Sequence, residues 1–148
     1  MINMTIWFDM DGNIASLYSV ENWLPMLRAF NPTPYIIAKP MLNMSLLARY
    51  LNKVQKNGYH IGIISWGSKT STPVYDAAVT AAKIAWLKTH LPSVKWNEIH
   101  IVPYGTPKES FKHSDIDILF DDESHNREAW GINAYDESSI LQVLKSLI

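Results

Sequence analysis

Short apolar runs, each closing on a polar or turn residue and set apart by stretches of helical spacing, limit the folds open to this chain more than any other feature. Residues 4–9 (MTIWFD), 60–65 (HIGIIS), 98–103 (EIHIVP) and 116–121 (IDILFD) read as strands, and 131–136 (GINAYD) as a weaker fifth. Several are nearly continuous in apolar residues, the pattern of parallel strands covered on both faces. Helical stripes lie between them. Leu47, Tyr50, Leu51 and Val54 share one face, with Pro40 at the expected helix start and Gly58 past its end. Tyr75, Val79, Ala82 and Trp86 form a second stripe. Ile140, Val143, Leu144 and Leu147 form a third, with Asp136 as the expected N-cap. The alternation predicts an α/β sheet with right-handed crossovers.

The chain has 148 residues, of which 47% are apolar and 18% charged, enough for one domain with its own core. A net charge of −1 and the lack of a long basic run argue against duplex DNA or a membrane surface as partner. No cysteine is present, which rules out disulfides, thiolate zinc sites and cysteine nucleophiles. No apolar run reaches membrane-spanning length, and the N-terminal residues lack the pattern of a secretory leader. A cytoplasmic location is the expectation.

One stretch breaks the alternation. The first two strands are separated by residues 14–57, more than one crossover helix needs. Residues 14–40 read as a small insertion beside the tip of the first strand, with a helix in SVENWLPMLRAF and a proline-rich connection in NPTPYIIAKP. Tyr18, Trp23, Phe30 and Tyr35 lie within it, and Trp66 follows the second strand. Such rings either pack an insertion onto a core or stack on a nucleobase.

Ligands of open α/β sheets bind outside the carboxyl ends of the strands. Here the first strand ends at Asp9, followed by Asp11 and Gly12; the second ends at Ser65. Lys108 follows the third, and the fourth ends at Asp121, with Asp122 and Glu123 after it. Clustered carboxylates need a cation, and oxygen ligands without cysteine or grouped histidine point to Mg²⁺. A cation beside a carboxylate nucleophile, an ammonium and a hydroxyl suits a phosphoryl group. Lys112 competes with Lys108 for the ammonium role, Asn126 divides between a structural and a site role, and His125 is the one histidine near the acidic cluster.

DMDGN at 9–13, Ser65, Lys108 and ILFDDESHN at 118–126 resemble the four ordered motifs of the haloacid dehalogenase superfamily. The resemblance covers roughly residues 4–136 and implies a Rossmann-like parallel sheet of about five strands between helices, with a small helical cap after the first strand. It implies a Mg²⁺-dependent phosphatase acting through an aspartyl-phosphate. By it, Asp9 is the nucleophile and a metal ligand. Asp11 is the acid/base, and its main-chain carbonyl also binds the metal. Ser65 binds the phosphoryl oxygens, with Trp66 adjoining, and Lys108 stabilises charge on nucleophile and phosphate. Asp121 completes the metal site, with Asp122 beside it. The layout is similar to the 5′-deoxyribonucleotidase branch, which implies a small phosphorylated substrate extending to nucleotides. Asn13 departs from the Thr or Val usual after the glycine.

Two other classes share these residue types. A receiver module also gathers acids, a hydroxyl and a lysine, but its acid pair comes early, its phospho-acceptor in the middle and its lysine last, whereas here an acidic pair follows the lysine. A non-catalytic Mg²⁺- or phosphate-binding module, or a nucleic-acid 3′-end phosphatase with an open site, would use the same groups.

Overall fold

The computed structural model describes residues 4–148; residues 1–3, part of the stretch read for a leader, lie outside the described residues. The sheet is built from β1 (Thr5–Phe8), β2 (His60–Trp66), β3 (Glu98–Val102), β4 (Ile118–Phe120) and β5 (Ala134–Tyr135). All pair in parallel, in the order β3-β2-β1-β4-β5. The helices are α1 (Trp23–Arg28), α2 (Thr33–Ile37), α3 (Met44–Lys56), α4 (Pro73–His90), α5 (Ser124–Trp130) and α6 (Ile140–Ser146). This is the expected Rossmann-like α/β architecture.

The central strand feeds both layers because successive side chains point to opposite faces. Ile6 and Phe8 join Leu47, Leu51, Trp86 and Leu144 in one core. Trp7 joins Ile64, Leu119 and Trp130 in the other. Trp7 lies opposite Gly62 in register, and a Cβ there would come within 2.5 Å of the indole ring. Glycine at this point is what lets a flat tryptophan lie across its neighbour.

The chain leaves β1 toward β2 and leaves β4 toward β5, so the connections diverge from two adjacent strands. A crevice opens outside their carboxyl ends. Asp9 and Asp121 follow those two strands directly, held by Asp9 N–H donating to Phe120 O (3.0 Å) and Asp121 N–H to Tyr135 O (3.0 Å).

The stretch 14–40 forms a 3₁₀ turn at Leu17–Ser19 and then α1 and α2. Its ends are drawn together: Ser16 N–H donates to Lys39 O (2.8 Å) and Met41 N–H to Ile14 O (2.9 Å). Leu17, Leu27 and Tyr35 pack against Tyr75, Val79 and Ala82 of α4. Three local expectations are corrected. NPTPYIIAKP carries α2 rather than an irregular connection, because its prolines sit at the N-cap and in the first turn, where a missing N–H is tolerated. Pro40 bridges Ala15, and α3 starts after Asn43, whose side chain accepts from Leu46 N–H (3.0 Å). Asp136 caps a 3₁₀ turn at Glu137–Ser139, one step before α6. Among the described residues, no helix is long and apolar enough to cross a membrane.

Candidate active site

The loop after β1 is shaped by Gly12, whose φ of 73° lies in the left-handed region. A Cβ there would collide with the Asp122 carboxylate and come within 2.8 Å of Tyr18 Cε2. The glycine thus allows the β1 loop to lie against the β4 loop. Asn13 Nδ2 donates to Asp9 O (2.8 Å), so the unusual side chain braces the main chain of Asp9.

Asp9, Asp121 and Asp122 bring carboxylate oxygens within 4.8 Å of one another. Lys108, at the head of a 3₁₀ turn, reaches them from below. Its Nζ donates to Asp121 Oδ2 (2.6 Å) and lies 3.1 Å from Asp9 Oδ1. Burial would discharge this ammonium, but the charges of Asp9 and Asp121 outweigh it and hold its pKa above the ordinary value. Asp121 is further fixed by Glu123 N–H (2.9 Å) and Asn126 Nδ2 (3.2 Å). Burial, then the charge of Asp9, push its carboxyl up against the pull of Lys108. Asp122 is pushed up to about 8 by burial and then by Asp9. Its Oδ1 is buried with no hydrogen-bond partner. Three clustered carboxylates, only two of them paired with the Lys108 ammonium, and an orphaned oxygen on the third, fit a hard divalent cation such as Mg²⁺.

Asp11 stands apart from that trio. Its Oδ2 accepts from Lys83 Nζ at 2.8 Å. The same ammonium donates to Ser65 Oγ (2.6 Å) and Trp66 O (2.7 Å) and lies 5.0 Å from the Tyr35 ring centroid. Lys83, only 1% exposed, was not singled out from the sequence. A signal was present: it sits four residues after Val79 and three before Trp86, on the buried face of α4.

A cavity of about 670 Å³ opens above these groups. Asp9, Asp11, Lys108 and Asn126 border it, with Leu17, Tyr18, Trp23, Leu27 and Tyr35 of the inserted stretch opposite. Arg28 and Lys69 add positive charge to its lining. Trp66 lines it with a ring 5.2 Å from Lys108 Nζ, while its indole N–H donates to Thr106 O (2.8 Å). Ser65 is fully buried and does not line the cavity, whereas Ser68 and Thr70 do. Lys112 lies elsewhere, donating to Trp130 O (2.6 Å). His125 is exposed, 3.3 Å from Glu123 and against Trp66. Phe30 packs edge-on against Tyr75 outside the lining.

Fold and site together define an all-parallel Rossmann-like α/β protein with an acidic, ammonium-backed cavity at its topological switch point. Among solved structures, the chain is similar to a D,D-heptose 1,7-bisphosphate phosphatase from Burkholderia thailandensis. The TM-score is 0.60, with 97% of each chain covered at 10% sequence identity, so the likeness is one of fold. No protein-family model matches the chain, and no curated protein matches its sequence.

Proposed function

We propose that the chain is a Mg²⁺-dependent phosphomonoester hydrolase of the haloacid dehalogenase superfamily, with residues 14–40 as a small cap. The observation that carries this reading is the cluster of Asp9, Asp121 and Asp122 at the ends of β1 and β4, with Lys108 paired to Asp9 and Asp121. Asp9, Asp121 and Asp122, with the main-chain carbonyl of Asp11, would hold the ion. When bound, it would neutralise phosphoryl oxygens and the carboxylates around them.

In the first half-reaction an Asp9 oxygen bonds to phosphorus as the bond to the ester oxygen breaks. Asp11 gives its proton to that oxygen, and the alcohol departs. In the second half Asp11 takes a proton from water as the water oxygen bonds to phosphorus. The bond to Asp9 breaks, and inorganic phosphate leaves. Lys108 compensates negative charge on Asp9 and on the phosphoryl group throughout.

The substrate class is a small phosphorylated molecule with a body suited to aromatic and apolar walls. Tyr18, Trp23 and Tyr35 support the nucleotide reading of the deoxyribonucleotidase-like branch, and Arg28 and Lys69 suit further anionic groups. Replacing Asp9 with Asn removes the nucleophile while keeping its shape. Turnover of para-nitrophenyl phosphate in Mg²⁺ is expected to fall by at least about 1,000-fold in Asp9→Asn. Near-wild-type turnover by that variant would exclude the aspartyl mechanism. A panel of nucleoside monophosphates and phosphorylated oligonucleotides, with and without Mg²⁺, then tests the substrate class.

A further inference from the structure

We propose that Lys83 is the positioning residue for proton transfer, holding the Asp11 carboxyl from behind so that one defined oxygen works on the leaving group. The inference rests on the phosphatase reading above.

An ammonium has three hydrogens and no acceptor. Those of Lys83 meet Asp11 Oδ2, Ser65 Oγ and Trp66 O at 2.6–2.8 Å. All three directions are filled, so the ammonium has little freedom to turn. It does not line the cavity and does not reach the reacting atoms. It acts through Asp11, which does line the cavity. Engaging Oδ2 leaves Oδ1 to carry the proton. When that proton passes to the ester oxygen, the carboxylate left behind already faces a fixed positive charge, with no solvent reorganisation needed. Lys83 also links the cap to this step, since its ammonium lies against the Tyr35 ring of α2. Ser65, sealed from the cavity, serves here as a brace for the lysine.

Leaving groups separate this role from a merely structural one. Para-nitrophenolate departs without needing a proton, whereas the alkoxide of benzyl phosphate needs one. The value of kcat/KM reports only the steps up to departure of the alcohol, so the shared second half-reaction does not mask the difference. Lys83→Met is expected to lower kcat/KM about 100-fold with benzyl phosphate and less than about 10-fold with para-nitrophenyl phosphate. In an Asp11→Asn background the lysine substitution should add no further discrimination. Equal losses on both substrates in a variant that melts like the wild type, or no loss on either, would overturn the proposal. If Lys83→Met does not fold, Lys83→Gln carries the same comparison; failure of both to fold assigns the lysine to the core and overturns the positioning role. A wild-type protein inactive on both esters in Mg²⁺ defeats the phosphatase reading and takes this inference with it.

Discussion

Asp117 and Asp121 stand at opposite ends of β4, both wholly buried, and their surroundings give them different work. Asp121 shares its oxygens with Lys108 and Asn126 in the acidic cluster. Asp117 accepts from Thr5 N–H (2.9 Å), Trp7 Nε1 (3.1 Å) and His113 N–H (2.9 Å), tying β1 and the turn before β4 together. Removing it leaves two buried donors and one half-buried donor unpaired. Asp117→Ala is therefore expected to cost about 3 kcal/mol or more in urea unfolding, without loss of metal binding. The two carboxylates also differ in how legible they were. Asp121 ends an apolar run and is followed by a second acid, as Asp9 is followed by Asp11, and that repetition marks a site. Asp117 and Lys83 are single charges inside apolar patterns. Trp7 lies 110 residues from Asp117 and Asp11 lies 72 from Lys83, so the local pattern places Lys83 on the buried face of α4 but shows for neither charge the distant partner that holds it.

At the scale of elements, the sheet was readable because its strands are buried on both faces and carry apolar runs with hardly a break. The helix boundaries were less so, because prolines and capping residues compete for the same turn. Pro40 fits a helix start by its fixed φ, yet Ala15 pairs with it, and Asn43 takes the capping role three residues later. The cap of α3 rests on one hydrogen bond from Leu46 N–H, so Asn43→Ala is expected to lower stability by about 1 kcal/mol, while Pro40→Ala leaves the helix boundary in place. Thermal melting and amide exchange over the first turn of α3 check both. The helix α2 was hidden for a related reason. Two prolines in a short span read as a connection, although in the first turn of a helix they cost no hydrogen bond. What then fixes α2 is burial of Pro34 and Tyr35, with Tyr35 packed in the cluster it shares with α4.

Across the whole molecule, the acidic crevice sets stability against function. Without a cation, Asp122 is half-buried beside Asp9 and Asp121, and its pKa rises from the ordinary 3.8 to about 8. The folded state thus holds this proton more tightly than the unfolded chain does. The stabilisation is complete below about pH 3.8 and is lost as pH rises through about 8. A bound metal ion would reverse the trend, because it would bind the deprotonated carboxylates and so favour the folded state more as pH rises. At 100 times its dissociation constant, Mg²⁺ is expected to stabilise the protein by about 2.7 kcal/mol. The melting temperature should thus fall with pH in EDTA, and the Mg²⁺-induced rise should be larger at pH 8.5 than at pH 5.5. Asp122→Asn removes the titrating group and should flatten the metal-free profile over that range. A Mg²⁺ shift that is absent at both pH values, or equal at the two in the wild type, would mean that the three carboxylates do not act together on a cation.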